Sequence, residues 1–398
     1  QLFSIPAFDT FQKPELQRGL KIGSHKFSVP KEAVLVSKLN PQFPRVWEVM
    51  VEEGYPALAS TEFLVLRPRA GIGLHFLKYV CLSPVFLSQM QAMVTGTSGS
   101  HQRVSTKDIL NIPVRVPPLF AQRIVAHILG TLDDKIELNR RMNETLEQMA
   151  RAIFKSWLVD FDPVRAKMSG RWKKGESLPG LPAYLWDLFP DSLVPSALGQ
   201  IPEGWRISNL HSVAHFLNGL PLQNYPPKEG RGLPIIKISQ LHNKNISGAD
   251  IANADIDPEF IVNNADIIFS WSGSLECVLW TGGKGALNQH LFKVSSQSFP
   301  MWWVYFWIHQ HLPAFREIAA GKATTMGHIQ RHHLEEAKII LPPDFIIEKA
   351  DELISPLWLR LIQLSSQNST LSGLRDILLP KLISGQIDLV KFCTSGET

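Results

Sequence analysis

The feature that most constrains this chain is that it is written twice. Ser37–Trp47 (SKLNPQFPRVW) lines up with Ser270–Trp280 (SWSGSLECVLW), each after an apolar run, AVLV in the first case and DIIF in the second. Thr61–Leu66 (TEFLVL) matches Gln289–Val294 (QHLFKV) at nearly the same offset. Gly96–Pro118 then resembles Gly321–Pro343. Both run from a loop of small residues with His, Gln and Arg, through a short helical stretch, to a β-branched strand closed by Pro-Pro. A long helical pattern follows each Pro-Pro. Matches in the same order with similar gaps define a repeat of about 230 residues, arranged as domain, helix, domain, helix.

The helices are the clearest secondary structure. After Pro118, Val125, Leu129, Leu132, Ile136, Asn139, Asn143, Leu146, Ala150, Ile153 and Trp157 alternate spacings of four and three. That period of about 3.5 residues is a coiled-coil seam rather than a globular helix face. The second copy repeats the phase with Ile354, Leu357, Leu361, Leu364, Asn368, Leu371 and Leu378. Asparagine in a seam costs stability and fixes register, because its amide needs a partner. Asn139, Asn143 and Asn368 are therefore expected where the two helices meet. The plainer alternative is two separate amphipathic helices, each packed on its own domain. Pro356 is expected to mark the first turn of the second helix or a kink. Between the copies, Val159–Ile201 is rich in Pro, Gly, Asp and basic residues and reads as a connector with short local elements, one of them a helix at Ala183–Leu188. The resulting division is 1–118 (first domain), 119–158 (first long helix), 159–200 (connector), 201–343 (second domain), 344–386 (second long helix) and 387–398 (tail).

Composition narrows the function classes. Hydrophobic residues make up 44% and charged residues 19% of 398, a globular balance that excludes a wholly disordered chain. The net charge of +4 permits nucleic acid as a partner without demonstrating it. Cys81, Cys277 and Cys393 are far apart and form no CxxC, so a disulfide scaffold is not expected and a reducing cytoplasm fits. The strongest apolar run, Met301–Ile308 (MWWVYFWI), covers about half of a membrane span and reads as a buried helix turn or strand. The chain opens on Gln1 without an initiator methionine or a signal sequence, which suggests a fragment or a trimmed chain.

Enzyme constellations fall short. Asn40-Pro41-Gln42-Phe43 has the look of the loop with which amino-group methyltransferases hold a flipped adenine, with Ala70-Gly71-Ile72-Gly73 as a methyl-donor turn. The repeat replaces the first with Trp271-Ser272-Gly273, and no strand, glycine turn and helix surrounds it. Gly282-Gly283-Lys284 is no phosphate loop, because Val278 stands where the first glycine belongs. His328, His332 and His333 lack a nearby carboxylate or cysteine in the reading of a metal set. What does recur is polar and basic loop chemistry at equivalent places. The first loops offer Lys38, Asn40 and Arg45, then Ser98, His101, Gln102 and Arg103. Their equivalents offer Ser270, Trp271 and Ser272, then Thr325, His328, Gln330 and Arg331. Lys and Arg neutralise phosphates, while Asn, Gln and Arg pair bidentately with base edges. For any single residue, an ordinary solvated side chain is the competing reading; repetition in two domains favours DNA.

At this point the sequence resembles the DNA-specificity subunits of type I restriction–modification systems. The stretches that carry the resemblance are Phe3–Asp9 (FSIPAFD), Ser37–Trp47, Leu158–Lys167 (LVDFDPVRAK), Leu198–Trp205 (LGQIPEGW) and Leu378–Gln386 (LLPKLISGQ), together spanning nearly the whole chain. The resemblance implies a mixed α/β chain in which two duplicated target-recognition domains each read half of a split double-stranded DNA sequence. It implies two long antiparallel coiled-coil helices that separate them and bind the methyltransferase (modification) subunits, two in number. The seam residues would be Asn139, Asn143, Leu146, Ile153, Leu361, Leu364, Asn368 and Leu371. Catalysis would belong to those partners, using S-adenosylmethionine, and to a restriction/translocase subunit using ATP and Mg2+, with no cofactor, metal or active site in this chain. One departure stands out: the second domain opens with Ile201-Pro202-Glu203-Gly204-Trp205, about 30 residues before the position equivalent to residue 1. The alternative from another class is a protein-interaction scaffold whose remnant domains no longer bind DNA.

Overall fold

The computed structural model describes residues 1–51, 54–94, 102–228, 232–321, 327–387 and 389. In chain order the first part forms β1 (Leu2–Phe3), α1 (Ile5–Phe11), β2 (Lys26–Ser28), β3 (Glu32–Ser37), β4 (Val46–Met50), β5 (Leu58–Ser60), β6 (Phe63–Leu66), α2 (Leu74–Leu82), α3 (Pro84–Ala92) and α4 (Thr106–Leu110). The 40-residue helix α5 (Leu119–Leu158) and the short α6 (Asp162–Met168) follow. Next come β7 (Leu193–Ser196), β8 (Gly199–Pro202), β9 (Arg206–Asn209), α7 (Leu210–Val213), β10 (His215–Asn218), β11 (Gly232–Ile236), α8 (Ile238–Asn243), β12 (Ile251–Asn253) and β13 (Ile261–Val262). The rest is β14 (Ile267–Ser270), β15 (Cys277–Leu279), β16 (Gly285–Leu287), β17 (Leu291–Ser295), α9 (Met301–Gly321), α10 (Arg331–Glu336), β18 (Lys338–Leu341) and the 41-residue α11 (Asp344–Ser384). Contacts divide the chain into two units, 1–137 with 371–398, and 138–370, so each long helix contributes to both.

In the first unit, β3 is central to the sheet β4-β3-β6, and a second small sheet has the order β1-β5-β2. The five residues Ala33–Ser37 are buried without the alternation of a half-exposed strand, because apolar groups cover both faces. On one face Trp47 meets Phe3, Phe8 and Phe63 edge-on, at ring separations of 4.9, 5.6 and 6.4 Å. On the other, Val34 and Val36 join Phe76 and Val80 of α2 and Val125 and Leu129 of α5, with Leu379 and Leu382 of α11 in the same core. A polar tie crosses these helices. The Asp133 carboxylate of α5 accepts from Lys78 Nζ (3.0 Å), from the Tyr79 hydroxyl (2.9 Å) and from Arg375 Nη1 (3.2 Å). Burial pushes this carboxyl up, but the Lys78 charge and the three hydrogen bonds outweigh it and hold it below the usual carboxylate value.

The second unit repeats that plan. The sheet β10-β17-β14-β15 has β14 in the place of β3, β17 in that of β6 and β15 in that of β4. Ser37 pairs with Phe63 as Ser270 pairs with Leu291, in the register the sequence comparison gives. Leu2 and Phe3 pair in parallel with Leu58 and Ala59, as Ile235 and Ile236 do with Ala286 and Leu287. Trp280, the counterpart of Trp47, is fully buried, and its Nε1 donates to the Gly283 carbonyl. The run MWWVYFWI forms the first two turns of α9, with Trp302–Ile308 all buried.

Within this unit the second half of α5 and the first half of α11 run antiparallel. Ala150, Phe154 and Trp157 share a core with Ile346, Ala350, Ile354, Trp358 and Leu361. Asn139, fully buried, donates from Nδ2 to Asn368 Oδ1 (3.0 Å) and Gln367 Oε1 (2.8 Å), and Asn143 Nδ2 donates to Ser365 Oγ (2.8 Å). The two helices are therefore a pair joined through their central amides. Leu364 is buried beside them, while Leu146, Ile153 and Leu371 are half-buried.

Two expectations need correction, at Pro356 and at the first Pro-Pro. Pro356 is not in a first turn: α11 begins at Asp344 and continues through this exposed proline. The connector also contributes to the core: Phe161, Val164, Trp172, Leu185 and Phe189 are buried with α9 and α11. Ala183–Leu188 within it is a 3-10 helix. The β-branched stretch before each Pro-Pro is a strand only in the second copy. There β18 pairs antiparallel with β9, from Lys338 opposite Asn209 to Leu341 opposite Arg206. Among the described residues no strand lies beside 112–116 as β9 lies beside β18. Val114 and Val116 are accordingly 43% and 46% exposed, whereas Ile339 in β18 is fully buried.

Candidate nucleic-acid interface

In both units the two sequence loops are drawn together by main chain, bond for bond. Ser37 ends β3, and its buried hydroxyl accepts from Leu39 N–H and donates to the Leu39 carbonyl, turning the chain. Asn40 adopts the left-handed region at φ 48°. Val104 N–H then donates to the Lys38 carbonyl (3.1 Å) and Asn40 N–H to the Gln102 carbonyl (2.8 Å), with Leu39 opposite Arg103. In the second copy Ile329 N–H donates to the Trp271 carbonyl (2.9 Å) and Gly273 N–H to the Gly327 carbonyl (3.0 Å), with Ser272 opposite His328. Gly327 is required here, since a Cβ would lie 2.3 Å from the Ala319 carbonyl oxygen.

The side chains on this shared frame differ in what they leave available. Arg45 is bound bidentately by Asp9 (2.6 and 2.9 Å) and Arg103 by Glu62 (3.1 and 2.7 Å), so both guanidinium forks already hold carboxylates. Lys38 is half-buried, its Nζ 5.6 Å from the Phe27 ring centroid. Ser270 is fully buried and ties Ser274 and Glu276, and buried Ser272 shares a hydrogen bond with His290 Nδ1 (3.2 Å). These two serines hold the loop. Trp271 is half-buried, with Nε1 donating to Asn218 Oδ1 (3.0 Å), and His328 lies edge-on to its ring. Gln330 is the N-cap of α10, where its backbone carbonyl accepts from His333 N–H (3.0 Å). Arg331 is exposed and makes no ion pair among the described residues. Ser98, His101 and Thr325 lie outside the described residues.

The enzyme-like motifs are accounted for by packing. The turn at Gly71–Gly73 is filled by the buried Gln122 side chain of α5, which accepts from Gly73 N–H (2.9 Å) and donates to the carbonyls of Gly71 and Pro117 (both 2.8 Å). The histidine cluster does have a carboxylate, contrary to the sequence reading: the ligand atoms of His332, His333 and Glu336 lie within 4.8 Å of one another. His333 Nδ1, however, accepts the Gln330 backbone N–H (2.8 Å), which leaves the proton on Nε2. Metal ligation through that nitrogen would require breaking the cap, and in this structure the group serves as a helix start.

Sequence reasoning overlooked a polar cleft beside the second loop pair, lined by Gln223, Lys237, Ser239, Asn288, Gln289 and His290. Its signal was present in the repeat, where Asn288-Gln289-His290 stands opposite Ser60-Thr61-Glu62. One backbone frame, used twice with different outward side chains, defines a two-part reader of an extended ligand.

Comparison with known proteins gives that class its family. Residues 11–148 and 202–355 match the type I restriction modification DNA specificity domain, and the chain belongs to that family. It is similar to the type I restriction enzyme HindI specificity subunit of Haemophilus influenzae, 25% identical over 92% of this chain and 88% of that one. It is also similar to the MjaIX specificity subunit of Methanocaldococcus jannaschii, 25% identical over 84% of this chain and 75% of that one. Among solved structures, the type I restriction–modification S subunit from M. genitalium covers 90% of this chain, which spans 84% of that one, at 14% identity and a TM-score of 0.44. None of the described helices is long and apolar enough to cross a membrane.

Proposed function

We propose that each copy reads one half of a split double-stranded DNA target, and that the chain itself is not an enzyme. On this reading it directs adenine methylation by two methyltransferase subunits and cleavage by restriction/translocase subunits in the cytoplasm. The partners supply the sites for S-adenosylmethionine, ATP and Mg2+. The observation that supports it best is the doubled loop ladder, Lys38–Val104 and Trp271–Ile329, with the same main-chain bonds and different side chains. A reader of one repeated element would keep the side chains; a reader of two different half-sites keeps the frame and changes them. Genome-wide mapping of methylated adenines in cells carrying this chain and its partners is expected to return one bipartite motif with a fixed spacer. A contiguous motif, or methylation unchanged when the chain is deleted, would refute the proposal.

A further inference from the structure

The cleft of about 400 Å³ in the second unit forms where three segments converge. Main-chain bonds fix its floor. Asn288 N–H donates to the Ile236 carbonyl (3.3 Å), Gln289 N–H to the Leu220 carbonyl (2.9 Å), and Trp271 N–H to the His290 carbonyl (3.3 Å). Trp271 Nε1 adds a bond to the Gln289 carbonyl (3.2 Å). Gly219 presses on the same turn so closely that a Cβ would sit 2.3 Å from the Asn288 carbonyl oxygen. A turn held this firmly by its backbone does not need its side chains for support.

Asn288 Oδ1 accepts from His290 N–H (3.3 Å) and His290 Nδ1 is bonded to Ser272, which leaves Gln289 as the turn's spare side chain. The Gln289 amide nitrogen makes only a long contact with His290 Nε2 (3.4 Å), and its Oε1 accepts nothing among the described residues. Gln223, exposed at the cleft mouth, makes no side-chain hydrogen bond among the described residues. Lys237 adds one positive charge, shared with Asp250. By contrast, both first-copy arginine forks are engaged by carboxylates. A free carboxamide offers a donor and an acceptor side by side, which matches N7 and N6 of adenine in the major groove. The equivalent turn of the first copy carries Ser60, Thr61 and Glu62, a different donor and acceptor pattern on the same backbone.

We propose that Gln223 and Gln289 read adenine bases of the second half-site from this cleft, with His290 flanking them. This rests on the reading of the chain as a DNA-recognition subunit. The test uses the full chain assembled with its methyltransferase subunits and a random-sequence duplex library, with bound sequences recovered and counted. Wild type, Gln223→Ala, Gln289→Ala, Arg331→Ala and a Gln289→Thr/His290→Glu double variant that carries the first copy's side chains are compared. The two alanine variants at glutamine are expected to lose about 5- to 100-fold of the preference at one or two adenine positions. The other half-site and the spacer should stay as they are, and the double variant should alter the same positions. A second half-site unchanged in all glutamine variants, or altered only by Arg331→Ala, overturns the proposal. Equal weakening on every sequence with a shallower salt dependence also overturns it, because it marks a phosphate contact. A wild-type complex that selects no motif overturns the DNA reading as well, which separates that failure from failure of the cleft alone.

Discussion

Replacing Asp133 with Asn preserves the shape of the α2–α5–α11 junction and removes the carboxylate charge that ties its three helices. Three donors then lose their anion: Lys78, the Tyr79 hydroxyl and Arg375. A hydrogen bond to a charged group contributes about 1.5–3 kcal/mol when well shielded. Here the side chains of Asp133, Lys78 and Arg375 are 22%, 23% and 33% exposed, so water screens the pairs, and Arg375 keeps Asp376. The expected cost to the first unit is about 2–3 kcal/mol at neutral pH. The pH dependence follows from the lowered carboxyl. In the unfolded chain it titrates near ~4. Between that value and the lower folded one, the unfolded state binds more protons. The stabilisation is therefore complete above the unfolded value and disappears as pH falls through the folded value. Hydrogen exchange of peptides from α2, measured in urea at a series of pH values, reads this unit directly. Wild type should lose protection steeply on acidification, whereas Asp133→Asn should start lower and change less. Equal slopes, or a neutral-pH cost under ~0.5 kcal/mol, would refute the assignment of Asp133 as the tie.

Two further outcomes follow from the helix pair. Asn139 and Asn143 each keep a buried Oδ1 without a hydrogen-bond partner among the described residues, a burden of about 1–3 kcal/mol apiece. Leu at 139, 143 and 368 should raise the urea midpoint while additional oligomers emerge in native mass spectrometry; a less stable variant, or a more stable one with no new species, contradicts the register role. A heptad inserted after Glu137 and another after Thr370 adds about 10 Å to each helix. Methylation mapping should then show the spacer longer by about three base pairs with both half-sites intact. An unchanged spacer with full activity would show that these helices do not set it.

The parts of the fold that follow a period were legible in the sequence. The seam from Val125 to Trp157 announced α5, and the paired serines, tryptophans and Pro-Pro sites announced two copies, because register and burial leave a periodic trace. What escaped depends on partners far along the chain. Val114–Val116 and Ile339–Leu341 look equally strand-like, yet only the second stretch has β9 beside it. Strand propensity is a preference for a neighbour, and no local pattern supplies one. The connector hid its buried Trp172 and Phe189 for the same reason: irregular segments have no period even when they are core. At the candidate site, residue type suggested Arg45 and Arg103, and the structure gave their charges to Asp9 and Glu62. Gln223 and Gln289 escaped notice because they are distant in sequence and acquire meaning only where the chain folds them together.

The pairing of β9 with β18 has an evolutionary corollary. Everything from Arg206 to Leu341 enters and leaves the second unit through two adjacent antiparallel strands. A segment whose ends are neighbours can be lifted out as a cassette, provided the replacement keeps the α9 face that packs on α5 and α11, where Phe306 and Trp307 meet Phe154 and Tyr305 meets Trp358. With that face kept, α5 and α11 need not change when the cassette does. Recombination between related chains with crossovers near Trp205 and Pro342 would then exchange one recognised half-sequence for another in a single event, leaving the rest of the assembly intact.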